Sequence, residues 1–127
     1  MNLLICLFSK KVYLVEGVND VLFIKQMLLQ NNSFYQDYSI FQVYGKHHMA
    51  IFAKIFNDLG IEVKIFFDED DNQQIHNQTT NQLLSSFTSY KFCPNIETEI
   101  GYTGHKLNTV AYMQFLSGYT VPNLMNI

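Results

Sequence analysis

Short hydrophobic runs rich in β-branched and aromatic residues alternate along this chain with segments of mixed polarity. Such runs, ending at a glycine, an acidic residue or a proline, predict buried strands. We place strands at residues 11–16, 39–44, 61–67 and 90–93. Between them, apolar residues recur at the spacing of a helix face. We place helices at residues 21–30, 48–59 and 107–116, and a weaker helix from about 77 to 87.

Strands separated by helices of about ten residues are typical of βαβ units, whose strands run parallel. The pattern therefore predicts an α/β fold with a mainly parallel sheet of about four strands flanked by helices. The 127 residues leave room for a single domain, and the 48% hydrophobic content provides material for a packed core. Ligands of such sheets collect outside the carboxyl ends of the strands.

The two cysteines, Cys6 and Cys93, are too few for a disulfide scaffold, which favours a reduced, cytoplasmic setting. The apolar start of the chain, residues 1–8, is too short to cross a bilayer. Its lysines follow the apolar run, whereas a signal peptide carries positive charge ahead of it. We therefore expect no membrane association.

Acidic residues stand at the ends of two predicted strands. Glu16 ends the first strand, and Asp20 follows four residues later. Asp68 ends the third strand, with Asp70 two residues on. If the backbone stays extended there, Asp68 and Asp70 lie on one side and Glu69 on the other. A parallel sheet would bring these carboxylates to the same edge.

Carboxylates held close together repel one another unless a cation neutralises them. Ligands that are all oxygen suit Mg²⁺ or Mn²⁺ rather than zinc, and two such ions support phosphodiester cleavage. Structural explanations stay open for each residue. Glu16 could end a strand at a turn, Asp20 could cap a helix, and residues 68–71 could form a solvated acidic loop.

Several segments together resemble the Toprim domain of the OLD (overcoming lysogenization defect) family of ATP-dependent endonucleases. The similar segments are LFSKKVYLVEGVND at 7–20, VYGK at 43–46, LGIEVKIFFDED at 59–70, PNIE at 94–97 and GHK at 104–106. They extend from about Leu7 to Leu116, most of the chain. Each motif is short, but their order and spacing together are fairly specific.

The resemblance implies a Toprim (Rossmann-like) domain over residues 7–120, preceded by a lead-in at 1–6. It implies a DNA endonuclease that uses Mg²⁺ or Mn²⁺ at a two-metal site, in an anti-phage or DNA-processing system. The principal metal would be held by Glu16, Asp68 and Asp70, and a second metal by Asp20 and Glu97. Glu16 and Lys106 would be catalytic, with Lys106 neutralising charge on the phosphate in the transition state.

Proteins of this family usually carry an ATPase domain ahead of the Toprim domain. No Walker-type phosphate-binding loop occurs in this sequence, so we expect an ATPase domain or subunit as a partner, besides nucleic acid and a second copy of the chain. The net charge of −3 is unusual for a nucleic-acid-binding protein. It favours an alternative: a non-catalytic Toprim-like module that docks on a partner ATPase or on nucleic acid.

Another doubly wound enzyme, such as a phosphatase or a receiver-like domain with Asp68 as nucleophile, is a third interpretation. The Glu-Gly-x-x-Asp motif of the first strand fits it less well. Glu99 competes with Glu97 for the late acidic position, while Glu69 is expected to be solvated. The histidines show no zinc-ligand spacing, and those at 47 and 48 are interpreted as exposed residues at a helix start.

Overall fold

The computed structural model describes residues 3–31, 38–122 and 124. Four strands form one sheet, in the spatial order β2-β1-β3-β4, and every neighbouring pair is parallel. The strands are β1 (Lys11–Val15), β2 (Tyr38–Gln42), β3 (Glu62–Asp68) and β4 (Ser89–Phe92). The predicted α/β fold with a parallel sheet is confirmed.

Helices cover both faces of this sheet. They are α1 (Leu3–Cys6), α2 (Val18–Gln30), α3 (Met49–Asp58), α4 (Ile75–Ser85), α5 (Ile96–Ile100) and α6 (Thr109–Ser117). A 3₁₀ turn, Lys46–His48, precedes α3. In the part of the chain that the structure describes, no helix is long and apolar enough to cross a membrane.

The period-two alternation of the strands divides the core into two layers. In β1, Tyr13 and Val15 pack with residues of α2, α5 and α6, whereas Val12 and Leu14 pack with residues of α1, α3 and α4. All four side chains are fully buried. Because both faces are covered, the strands are hydrophobic on both sides, as parallel sheets require.

Among the differences from the sequence prediction, two concern helices beside the strand ends, α2 and α5. Helix α2 begins at Val18, three residues before the predicted start, because Gly17 acts as its N-cap and the Asp20 carboxylate accepts a hydrogen bond from Gly17 N–H. Helix α5 was not predicted, since five residues are too few to show helical periodicity. Asn95 caps it by accepting a hydrogen bond from Thr98 N–H at 2.8 Å.

The order of the strands sets the position of the acidic residues. β1 and β3 are adjacent in the sheet, so their carboxyl ends meet at one edge. Glu16 follows β1 directly, and Asp68 is the last residue of β3. The backbone N–H of Asp68 donates to Oε1 of Glu16 at 3.1 Å, which joins the two strand ends.

Candidate metal site at the carboxyl edge of the sheet

A cavity of about 240 Å³ opens at the carboxyl ends of β1 and β3, on the side of α2 and α5. Most of the residues predicted from the sequence line this cavity: Glu16, Asp20, Asp68, Glu97 and Lys106. Its remaining lining residues are Gly17, Val18, Asn19, Ile96 and Leu107. A larger depression of about 600 Å³ lies beside α4, but the residues described around it include no acid. The smaller cavity is therefore the candidate site.

Backbone N–H groups orient three of the carboxylates. Glu16 is held by Asp68 N–H, as described above. Asp20 Oδ2 accepts from Gly17 N–H at 3.0 Å, within the first turn of α2. Asp68 Oδ1 accepts from Ile96 N–H at 2.9 Å, at the start of α5. These bonds bring α2, β3 and α5 to the same cavity, and the short helix α5 is therefore part of the site.

The fourth carboxylate is oriented by a side chain. Asn19 Nδ2 donates to Glu97 Oε1 at 3.0 Å and to the carbonyl oxygen of Lys106 at 2.9 Å. Asn19 lies in the first turn of α2, whose N-cap is Gly17. No local pattern signals this role, since Asn19 is far from Glu97 in the chain.

Burial and mutual repulsion govern the electrostatics of the cavity. Burial raises the pKa of the Asp68 carboxyl to about 9, and the charges of Asp20 and Glu16 add to the effect. Burial also raises the pKa of Asp20 to about 7, although the hydrogen bond from Gly17 N–H opposes it. Burial is the main cause of the raised pKa of Glu16. The charged forms are thus disfavoured unless a cation enters.

Asp70, the fifth predicted ligand, does not line the cavity. The backbone does not stay extended after β3, because Asp70 adopts a left-handed conformation with φ of 58°. An aspartate tolerates this region better than most residues. Its carboxylate instead forms an ion pair with the buried ammonium of Lys46, at 3.0 Å. The role of Asp70 as a metal ligand stays a prediction.

Lys46 is only 3% exposed and lies on the side of α3 and α4, behind the strand ends. Its Nζ donates to the carbonyl oxygens of Asp68 and Glu69, at 2.9 and 3.0 Å, and to Oδ1 of Asn81 at 2.9 Å. Asn81 in turn donates to the carbonyl of Glu69 at 3.0 Å. We refer to Lys46, Asp70 and Asn81 as the Lys46 network. The sequence indicated a glycine-lysine turn but assigned no partner to its lysine.

Two other acidic residues near the strand ends, Glu99 and Glu69, do not line the cavity. Glu99 accepts hydrogen bonds from the Tyr90 hydroxyl at 2.8 Å and from Cys93 N–H at 3.1 Å, so it ties α5 to the end of β4. Glu69 forms an ion pair with Lys91 at 3.2 Å. These contacts leave Glu97 as the residue of this segment that reaches the cavity.

The type of ligand at the site fits a divalent cation. Among the residues described, no set of three histidine, cysteine or acidic side chains has the arrangement of a ready-made metal site. The cavity nevertheless gathers carboxylate oxygens, the donors that Mg²⁺ and Mn²⁺ prefer, and no histidine or cysteine is among its described lining residues. Negative charges held on these side chains would repel one another, and a divalent cation would offset that repulsion.

Comparison with known proteins agrees with the fold and the motifs. Residues 7–70 match the family model described as "Overcoming lysogenization defect protein-like, TOPRIM domain". The fold is similar to the C-terminal region of the Burkholderia pseudomallei OLD protein, with a TM-score of 0.60 and 13% sequence identity. That match covers 87% of this chain and 72% of the other. No curated protein matches the sequence.

Proposed function

This chain belongs to the OLD-like family of Toprim domains, and from that premise we propose that it is a metal-dependent endonuclease that hydrolyses phosphodiester bonds of DNA. Membership of the family suggests a nuclease-type function. The single observation that carries the proposal is the convergence of Glu16, Asp20, Asp68, Glu97 and Lys106 on one cavity. Glu97 and Lys106 lie outside the segment that matches the family model, so their arrival at the same cavity is independent support.

The cofactor of the proposed reaction is Mg²⁺ or Mn²⁺. When bound, such ions activate water and neutralise charge on the phosphate. Glu16 and Asp68 already line the cavity and would hold the principal ion, and Asp20 and Glu97 a second one. Asp70 would join the principal ion only by leaving Lys46. We therefore rank Asp68 above Asp70 as a ligand.

Two residues are proposed to act on the substrate. Oε1 of Glu16 is engaged by Asp68 N–H, so Oε2 is the atom that would exchange a proton at the attacked phosphate. Lys106 is exposed at the rim, where its ammonium can meet an incoming phosphate.

The proposed partners are DNA and an ATPase domain or subunit of an OLD-type protein, with self-association as a further expectation. Cys6 and Cys93 are free thiols, which is compatible with action in the cytoplasm. A basic surface contributed by the ATPase partner would compensate for the net charge of −3 on this chain.

The decisive experiment is cleavage of supercoiled plasmid with Mg²⁺ or Mn²⁺ by wild type, Asp68→Ala and a matched surface control, Asp58→Ala on α3. We expect wild type and the control to cut, and Asp68→Ala to lose cutting while remaining folded. Relief of the crowding by other carboxylates should offset the lost hydrogen bond from Ile96 N–H, so the metal-free stability should stay unchanged or rise slightly.

Thermal melting of the same proteins separates a catalytic Asp68 from a structural one. Millimolar Mg²⁺ should raise the melting temperature of wild type and of Asp58→Ala, since a ligand that binds only the folded state stabilises it. It should not raise that of Asp68→Ala. The nuclease proposal fails if Mg²⁺ does not stabilise wild type and Asp68→Ala cuts as well as wild type.

A non-catalytic docking module is the second candidate function. The observation in its favour is the shortage of positive charge: Lys106 is the single basic residue among those that line the cavity in the described structure. A module of this kind would bind a partner ATPase without cutting DNA. Wild type that neither cuts nor responds to Mg²⁺, alone and with an ATPase partner, would favour it.

A further inference from the structure

Asn19 connects three segments of the chain at the wall of the cavity. It is the second residue of α2 and is only 7% exposed. Its side-chain amide donates to Glu97 in α5 and to the backbone at Lys106, which lie 78 and 87 residues away in sequence. A buried amide that donates both of its hydrogen bonds to distant segments helps to fix the position of those segments relative to α2.

The orientation of this amide follows from its neighbours. Both atoms that it contacts, a carboxylate oxygen of Glu97 and a backbone carbonyl oxygen, are acceptors only. The nitrogen must therefore face them, because the reversed amide would place oxygen against oxygen. Oδ1 of Asn19 is then buried without a hydrogen bond from any residue that the structure describes. A buried, unsatisfied acceptor is costly, so this oxygen favours a donor such as an ordered water in the cavity.

Helix α5 is also held by the hydrogen bond from Ile96 N–H to Asp68, and the connection after it by Tyr102, which is buried beside Tyr112. Asn19 adds a tie from both segments to α2. Glu97 belongs to a helix of five residues, which has little stability of its own. Lys106 lies in the connection at residues 101–108, which has neither helix nor strand. Within that connection, the Tyr102 hydroxyl donates to the carbonyl of His105 at 2.9 Å, but this bond is local. Asn19 instead joins the connection to α2, which packs on the sheet.

We propose that Asn19 is a positioning residue of the cation site, which holds Glu97 and the segment of Lys106 against the cavity. The inference deepens the proposed nuclease function and rests on it. It assigns Asn19 no contact with the reacting atoms. Residues that orient metal ligands typically change metal affinity roughly 10- to 100-fold when they are removed.

The test combines amide hydrogen exchange of the full chain with Mn²⁺ binding, followed by calorimetry or by the electron paramagnetic resonance of free Mn²⁺. The variants are Asn19→Ala, which removes the amide, and Asn19→Asp, which keeps the shape and, when ionised, cannot donate and repels Glu97. Asn57→Ala and Asn57→Asp, at an exposed position of α3, are the matched controls. Asn19→Ser replaces Asn19→Ala if the latter does not fold.

We expect faster exchange at residues 97–108 in both Asn19 variants, larger for Asn19→Asp, with exchange in the β-strands unchanged. Mn²⁺ affinity should fall roughly 10-fold or more in Asn19→Ala and should not change in the Asn57 variants. If exchange at residues 97–108 equals that of wild type, Asn19 does not hold these segments and the proposal is overturned. If exchange is faster but Mn²⁺ affinity is unchanged, Asn19 does not position the cation site. If wild type itself binds no Mn²⁺, the proposed function fails, and the exchange data still decide whether Asn19 tethers these segments.

Discussion

Two neighbouring aspartates of one segment face opposite electrostatic surroundings. Asp68 lines the acidic cavity, where burial and nearby carboxylates raise its pKa to about 9. Asp70 turns to the other side of the sheet and pairs with Lys46 at 3.0 Å. In the Lys46 network the chain supplies its own buried cation. In the cavity the carboxylates crowd together, and Lys106 stands exposed at the rim.

The same residue type therefore has two different environments. Asp70 stabilises the fold through Lys46, whereas Asp68 has no cationic partner in the cavity among the residues that the structure describes. The ammonium of Lys46 satisfies two backbone carbonyls and a carboxylate, so that region is complete as it stands. The cavity gathers carboxyl groups whose charged forms are disfavoured by burial, at a place where the fold collects ligands. A cation from outside would stabilise their charged forms.

The largest expected effect is on cation binding. Asp68→Asn should weaken Mn²⁺ binding by more than about 100-fold, since it removes a proposed ligand rather than a residue proposed only to orient one. Asp70→Asn should weaken it less, because Asp70 is engaged by Lys46. Calorimetric titration of the two variants against wild type measures the difference. If both variants lose the same Mn²⁺ affinity, Asp70 leaves Lys46 when the ion binds. The ion pair between Asp70 and Lys46 would then exist only in the metal-free protein.

The second expected effect is on stability. Lys46→Met keeps the length of the side chain but leaves two carbonyls, Asn81 and Asp70 without their donor. We expect a loss of about 2–3 kcal/mol in the free energy of unfolding, measured with urea. Lys54→Met, at an exposed position of α3, is the control and should change it by less than about 0.5 kcal/mol. If both variants unfold alike, the Lys46 network contributes nothing to the fold.

The smallest expected effect is a pH dependence confined to the cavity. The pKa of Asp68 is raised to about 9 and that of Asp20 to about 7, above the roughly 3.9 of an unfolded aspartate. Between these values the folded state binds more protons than the unfolded state. Stability of the metal-free protein therefore falls as pH rises through this range.

Chemical unfolding in EDTA at several pH values between about 5 and 9 measures this slope. Saturating Mg²⁺ should flatten it, because the ion takes over the charge that the protons neutralise. Asp68→Asn should flatten it in part even without the ion. A metal-free slope of the opposite sign would show that the cavity carboxylates are better stabilised than their burial indicates.

Much of the fold was predictable because it depends on local and periodic properties of the chain. Runs of β-branched and aromatic residues marked all four strands, and helical spacing marked α2, α3 and α6. Helix α5 was not predicted because five residues are too few to show the hydrophobic periodicity of a helix. The end of β1 and the end of β3 were also visible, so Glu16 and Asp68 could be proposed as neighbours before their contact was seen.

The sequence by itself thus determined the parallel α/β fold, the family and the acids at the strand ends, because these follow from local patterns and from the order of short motifs along the chain. Only the tertiary structure decided how the site is divided. Asp70 adopts a left-handed backbone conformation, and its carboxylate pairs with Lys46 instead of lining the cavity. Asn19 meets Glu97 across 78 residues, a contact without any local pattern. Such pairings depend on how helices pack on the sheet, and packing is a property of the whole chain.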